Sequence, residues 1–432
     1  MQGDMGKHYL WSKLQLNLRE TNQFINKRKV LNDPVYGFIT IPDPLIFELI
    51  QHPYFQRLRR ITQLGLSSLV YPGANHHRFH HALGASYLMT LALDNLQSKG
   101  HEISENERQG ALAAILLHDV GHGPFSHALE HDLIKGVDHE RISLMFMERL
   151  NKEMDGALDT CLSIFKKTHP KKYLGQLISG QLDVDRLDYL KRDSFYTGVS
   201  EGVVGSQRII KMLDVHEGDL VVEEKGIYSI ENFLVARRLM YWQVYLHKTV
   251  IAAEFLLVSI IRRARVLLSQ GEQLFASPAL KYFLSQEIGL AEFNADSEVL
   301  ERYASLDDHD VLGAIKVWMN HKDRVLSDLS QALVYRRLPK IKLSKTAISP
   351  ELEAEWREKV KKAKGLSDEE VSYYITSGKV VNNAYDTDSE HIRIKFKDGR
   401  VEDVAQASDT LNISALSSKV EKFFLMVPRN LA

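Results

Sequence analysis

The run ALAAILLHDVGHGPFSH, residues 111–127, constrains this chain more than any other stretch. An apolar segment ends on His118 and Asp119, two side chains that are costly to bury unless something binds them. Upstream, Ser104 and Glu107 form an S-x-x-E capping box, so the spacing predicts a helix that starts at Ser104 and ends at the His-Asp pair. Gly121 and Gly123-Pro124 then break it, which is expected to leave His118 and Asp119 at an exposed C-terminal end. Imidazole nitrogen paired with carboxylate oxygen suits zinc, iron or manganese. His81 and Asp185, far away in sequence, are the other candidate ligands. Four ligands from three converging helices would make a mononuclear site with positions open to water and substrate, so a metallohydrolase is the expected class.

Helical periodicity runs from Pro44 to about Leu338. His81 falls early in an amphipathic stretch, 79–97, and Asp185 begins another, 185–193. In DVDRLDYLKRD, Asp185, Asp188 and Tyr189 share one helix face, while Arg186 and Asp193 share the neighbouring one. An exposed helix with i,i+4 ion pairs would explain the charges there, but not the clustering of aspartates. Strand signals appear at 35–41 and at 220–229, where Lys225-Gly226 suggests a hairpin turn. After Lys340 the texture changes to a charged helix at 350–364, a strand at 391–396, a turn at Lys397-Asp398-Gly399 and a strand at 423–427. The expected fold is mainly α, a helical core with short β-hairpins plus a small C-terminal α/β domain. The divisions are an N-terminal segment at 1–43, a catalytic domain at 44–340 and a domain for assembly at 341–432.

Composition narrows the class further. A formal net charge of -1 carries no overall bias toward nucleic acid or anionic membrane, so an anionic substrate must meet a local basic cluster. Arg78, Arg186, Arg237 and Lys248 are candidates, and no Walker loop or G-x-G-x-x-G run competes with them. The single cysteine, Cys161, rules out an internal disulfide framework and reads as a half-buried thiol near a helix in a reducing compartment. No signal-peptide pattern opens the chain, and the longest apolar run, 249–261, is interrupted by Glu254 and too short to cross a bilayer. A cytoplasmic location with no membrane partner is expected. His122, His127 and His139 follow the His-Asp pair closely and suit proton donation or phosphate contact near neutral pH, with Glu130 placed to orient one of them.

With these residues in view, the chain resembles the HD-domain deoxynucleoside triphosphate triphosphohydrolases, in the branch that includes the vertebrate enzyme with an N-terminal sterile alpha motif and its bacterial relatives. The resemblance rests on VLNDPVYG, FQRLRRITQLG, YPGANHHRFHHALG, HDVGHGPFSH, DVDRLDYLKRD and YLHK, and runs from about Val30 to Lys340. With about thirty residues ahead of it, no sterile alpha motif is expected. The family pattern implies a metal on His81, His118, Asp119 and Asp185. It implies triphosphate contacts from Arg78, Arg186, Tyr189 and Arg237, with His122, His127 and His139 around the α-phosphate. Gln63 and Asp193 would meet the 3′-hydroxyl, and Leu64 and Tyr245 would crowd the 2′ position.

The implied reaction is metal-assisted hydrolysis to a deoxynucleoside and tripolyphosphate, with His139 or His127 protonating the departing oxygen. One transition metal is expected (Fe, Mn, Zn, Co or Ni), with Mg on the substrate triphosphate. Regulated relatives imply a homo-oligomer, dimer-based and tetrameric or larger, that binds an activating nucleotide between subunits. The corresponding positions are Lys29, Val30, Asn32, Gln56, Arg59, Arg336 and Lys340, while Gln51 stands where those relatives read guanine with an acid. A neutral amide cannot accept two hydrogen bonds from guanine as a carboxylate does, so guanine-specific activation is not expected. Two alternatives stay open at this point: hydrolysis of another nucleotide phosphoester at the same His/Asp site, and a nucleotide-gated oligomeric binding protein, for which nucleic acid is not indicated.

Overall fold

A computed structural model describes residues 29–41, 43–125, 128–382, 385, 391–409 and 419–431. The first described element is a hairpin of β1 (Val30–Asp33) and β2 (Gly37–Thr40); β2 falls within the strand expected at 35–41, and β1 precedes it. Its turn is held by Asp33, whose Oδ1 accepts from the backbone N–H groups of Val35 and Tyr36. Helix α1 (Pro44–Gln51) follows, capped by Asp43 with Pro44 at its first position.

The centre of the protein is α2 (Arg78–Ser98), with α3 (Glu105–Leu117) and α5 (Val184–Thr197) packed against it. Between them in sequence lies α4 (His139–Glu153). Along the stretch 79–97, expected to be amphipathic, residues 82–86 of α2 are buried without a break, while Tyr87, Leu91, Asp94 and Ser98 form a partly exposed line farther along. Other helices pack against α2 on several sides, which buries its first half. Helix α3 starts where the capping box requires, with Ser104 Oγ accepting from Glu107 N and Glu107 Oε2 accepting from Ser104 N. Cys161 is fully buried rather than half-buried, and burial pushes its thiol up to about 12.

Strands β3 (Leu213–His216) and β4 (Asp219–Glu223) are joined at Glu217-Gly218, not at Lys225-Gly226. Both turn residues take positive φ, 51° and 84°, the conformation a two-residue hairpin needs to match strand twist. Lys225-Gly226 instead lies in a 3-10 turn that leads into α6 (Ile227–Met240). A π-helical turn, Tyr241–Tyr245, separates α6 from α7 (Lys248–Ser269), which contains the apolar run and its Glu254. No single described helix is long and apolar enough to cross a membrane.

The C-terminal elements arrive near their expected places: β5 (Lys340–Ser344), α8 (Pro350–Lys364), β6 (Thr376–Asn382), β7 (Arg393–Lys395), β8 (Val401–Asp403) and β9 (Val420–Val427). Strands β5, β9 and β6 form one antiparallel sheet. Strand β7, however, pairs in parallel with β4, with Val222 opposite Ile394, so the C-terminal segment completes a four-stranded sheet begun by residues 213–223. One apolar core runs through both regions, from Leu88 and Leu116 to Trp356, Ile394 and Val427. The fold is mainly α with small sheets.

Candidate metal centre

Helix α3 delivers His118 at its C-terminal cap and Asp119 one residue beyond. Both side chains are about one-tenth exposed, so the expectation of an exposed helix end is corrected. The following loop is pressed onto α4: a Cβ on Gly121 would stand 2.3 Å from both His139 O and Ser143 N. Ser143 Oγ accepts from Gly121 N, Arg57 Nη1 donates to Val120 O, and Tyr303 Oη donates to Gly121 O. Close approach of backbone, more than helix breaking, is what the glycine permits here.

His81, early in α2, and Asp185, in the first turn of α5, meet this pair. His81 Nε2 lies 3.0 Å from Asp185 Oδ1 and 3.7 Å from Asp119 Oδ2. His118 Nε2 lies 3.3 Å from Asp119 Oδ1 and 3.4 Å from Asp185 Oδ1. The tautomers are set from behind. His118 Nδ1 points at Ile115 O, 2.7 Å away, and His81 Nδ1 at Asp188 Oδ2, 2.8 Å away, so both rings carry the N–H at Nδ1 and turn Nε2 inward. Both Nε2 atoms are buried and make no hydrogen bond. The candidate ligand atoms of His81, His118 and Asp119 lie within 4.8 Å of one another.

Electrostatics agree with a cation-accepting site. Burial lowers the basicity of His81, but Asp185 and Asp188 outweigh it and raise the group to about 10. Burial opposes ionisation of Asp119, yet His118, Arg78 and His81 hold it down to about 2. Two inward imidazole nitrogens without partners, facing two ionised carboxylates, fit a divalent ion of the zinc, iron or manganese type.

Around this centre the other sequence candidates fall into groups. His122 and His139 stack with ring centroids 3.8 Å apart, and Glu130 Oε1 accepts from both Nδ1 and the backbone N of His139. His127 lies outside the described residues. Arg78 is buried and donates to Asp119. Arg186 pairs with Asp183, the N-cap of α5, and Arg237 donates to Gln181. The Nε atoms of both arginines are buried and make no hydrogen bond. Lys248 opens α7 behind its cap, His247.

Tyr189 and Tyr245 meet edge-on at 6.1 Å, and Tyr245 Oη donates to Asp193 Oδ2 at 2.8 Å. Leu64 caps a 3-10 turn, Gly65–Leu69, and the buried Oε1 of the adjacent Gln63 makes no hydrogen bond. The regulatory candidates lie elsewhere. Val30 and Asn32 belong to the hairpin and Lys29 precedes it, its carbonyl accepting from Ile41 N; Gln51 ends α1, and Gln56 accepts from Arg59, which also covers the Phe79 ring. Arg336 donates to Leu69 O, and Lys340 opens β5 as an exposed residue.

Sequence reasoning missed the supporting residues. His76 is buried against Asp193 Oδ1 at 2.8 Å and stacks on Tyr196. Asp188 and Arg192 form the i,i+4 ion pair that an exposed-helix reading anticipates, but both are fully buried, and Arg192 continues to Asp33. The i,i+4 spacing was legible in the sequence; its burial was not.

Comparison with known proteins places these residues in context. The HD domain family model matches residues 78–193, and the HD associated region matches 204–272. A solved phosphohydrolase from Bacteroides thetaiotaomicron VPI-5482 shares 54% identity and superposes with a TM-score of 0.90, covering 93% of this chain and 100% of that one. The Bacillus subtilis (strain 168) protein YwfO is 36% identical over 324 residues, 73% of this chain and 72% of that protein. The deoxynucleoside triphosphate triphosphohydrolase SAMHD1 homolog of Dictyostelium discoideum is 31% identical over 284 residues, 60% of this chain. The match spans about half of that protein's length, 55%.

Proposed function

Because the chain belongs to the HD-domain phosphohydrolase family, we propose that it hydrolyses deoxynucleoside triphosphates at the α-phosphorus, releasing a deoxynucleoside and tripolyphosphate. The observation that carries this reading is the meeting of His81, His118, Asp119 and Asp185 around two inward, unpartnered imidazole nitrogens, with Arg78, Arg186 and Arg237 as the nearby cation candidates. The likeness to a named triphosphohydrolase supports the substrate class.

When bound by these four residues, a divalent ion supplies positive charge that polarises a phosphoryl oxygen and lowers the pKa of water. The chain's own groups do the rest. Arg186 and Arg237 take triphosphate oxygens through donors that lack partners here, and Arg78 bridges Asp119 and a phosphate oxygen. Tyr189 lines the triphosphate path, and His122 contacts the α-phosphate. Glu130 engages Nδ1 of His139, leaving Nε2 to deliver a proton to the departing 5′-oxygen. The same role is open to His127. Asp193, oriented by His76 and Tyr245, accepts the 3′-hydroxyl, and Gln63 adds a second polar contact. Leu64 and Tyr245 exclude a 2′-hydroxyl by size. A homo-oligomer that seats a second nucleotide near Lys29, Val30, Asn32, Gln51, Gln56, Arg59, Arg336 and Lys340 completes the reading.

Product analysis tests it, using each dNTP and GTP singly and in mixtures with Mn²⁺ and Mg²⁺. Deoxynucleoside plus tripolyphosphate is the expected pair of products, lost in Asp185→Ala. Pyrophosphate with a deoxynucleoside monophosphate, or stepwise phosphate release, would show that the 5′-oxygen is not the leaving group and overturn the assignment.

A further inference from the structure

Behind His81 runs a line of charges that the reaction itself does not use. Asp188 is fully buried and accepts from His81 Nδ1 at 2.8 Å, from Arg192 Nε at 2.9 Å and from Arg192 Nη2 at 3.0 Å. Arg192 is equally buried, and its Nη1 donates at 2.8 Å to Asp33 Oδ2. Asp33 lies at the end of β1, where its Oδ1 also holds the hairpin turn through Val35 N and Tyr36 N. The Tyr36 ring covers the line, 5.6 Å from the Arg192 guanidinium and 5.2 Å from Tyr87. Opposite it, α2 makes room with Gly84, where a Cβ would stand 2.1 Å from Asp188 Oδ1.

We propose that Asp33 and Arg192 are remote positioning residues for His81, so that seating of the N-terminal hairpin sets how tightly the His/Asp centre holds its cation. The direction follows from charge sharing. Arg192 divides its positive charge between two carboxylates, Asp33 and Asp188. With Asp33 in place, Asp188 keeps enough negative charge to accept strongly from His81 Nδ1, which makes Nε2 a better donor to a metal. Without the Asp33 charge, Arg192 leans wholly on Asp188, and His81 loses both basicity and a fixed ring plane. Linkage makes the effect reciprocal: if the seated hairpin favours the cation, the cation favours the seated hairpin by the same factor.

The inference rests on the cation site of the proposed function, and its test uses the metal alone, without nucleotide. Asp33→Asn is the informative variant, because the amide oxygen can still accept from Val35 N and Tyr36 N while the negative charge facing Arg192 is lost. Mn²⁺ affinity, read by competition with a chelator, is expected to fall about tenfold in Asp33→Asn, the lower end of the range for a partner behind a metal ligand. Amide exchange at residues 35–40 is expected to slow on Mn²⁺ addition in the unsubstituted protein and to lose that response in the variant. This second readout needs no substitution, so it stands even if the variant folds poorly. Equal Mn²⁺ affinity in both proteins with metal-insensitive hairpin exchange would overturn the coupling and leave the cation site intact. An unsubstituted protein that binds no Mn²⁺ would overturn the cation-site reading itself, and the coupling with it.

Discussion

Replacing Gly84 by alanine adds one methyl group to the middle of α2, and its cost can be worked from its surroundings. The new Cβ would lie 2.1 Å from Asp188 Oδ1 and 2.2 Å from Arg192 Nη2. Neither group can step aside freely, because Asp188 is bonded to His81 and Arg192 to Asp33, and both are fully buried. Overpacking of this kind costs about 1–3 kcal/mol. Complete rupture of a buried ion pair costs about 3–5 kcal/mol, of which a displaced but surviving pair loses a part. Alanine's better helix propensity returns about 1 kcal/mol. The net expectation is a loss of about 2–4 kcal/mol. Gly313→Ala is the matched control: Gly313 also lies in a helix, Asp308–Trp318, but nothing stands within 4 Å of its Cβ position, so stability should rise by up to about 1 kcal/mol. Urea unfolding curves of the two variants and the unsubstituted chain decide the matter. Two substitutions of the same sign and size would refute the claim that the Asp188–Arg192 pair is held rigidly against α2.

Other expectations concern titration and selectivity. Asp214 ties β3 to His101 at 2.6 Å and to Lys395 of β7 at 2.9 Å; burial opposes its ionisation, but these two partners lower it from 3.8 to about 2. A depressed carboxyl stabilises the fold above its unfolded pKa, so the contribution is complete above pH 3.8 and fades as pH falls toward 2. Asp214→Asn should therefore lower stability by about 1 kcal/mol at neutral pH, after discounting for solvent screening, and by progressively less in urea titrations near pH 3. Leu64→Ala and Tyr245→Ala should each admit measurable ribonucleotide hydrolysis, and unchanged rejection of GTP would remove these residues from the discrimination argument. Gln51→Asp should raise activation of dNTP hydrolysis by GTP in mixed-nucleotide assays; an unaltered response would mean that the position does not read the base.

What could be read from the chain in advance was whatever depends on neighbours in sequence. The capping box at Ser104 and Glu107, the end of α3 at His118, the helix at Pro350–Lys364 and the face shared by Asp185 and Asp188 all follow from local hydrogen bonds and the 3.6-residue period. The candidate metal ligands were suggested by residue type and order, an adjacent His-Asp pair closing an apolar helix, with His81 and Asp185 as further ligand types. Tertiary structure alone decided what depends on contacts far apart along the chain. It closed over His118 and Asp119, buried residues 82–86 of α2 without a break, and moved the hairpin turn to Glu217-Gly218, where both residues could take positive φ. It also turned an ordinary i,i+4 pair, Asp188 and Arg192, into a buried link between His81 and Asp33. The spacing of two charges on a helix is local information. The medium that surrounds them, which sets how strongly they act, exists only once the chain has folded.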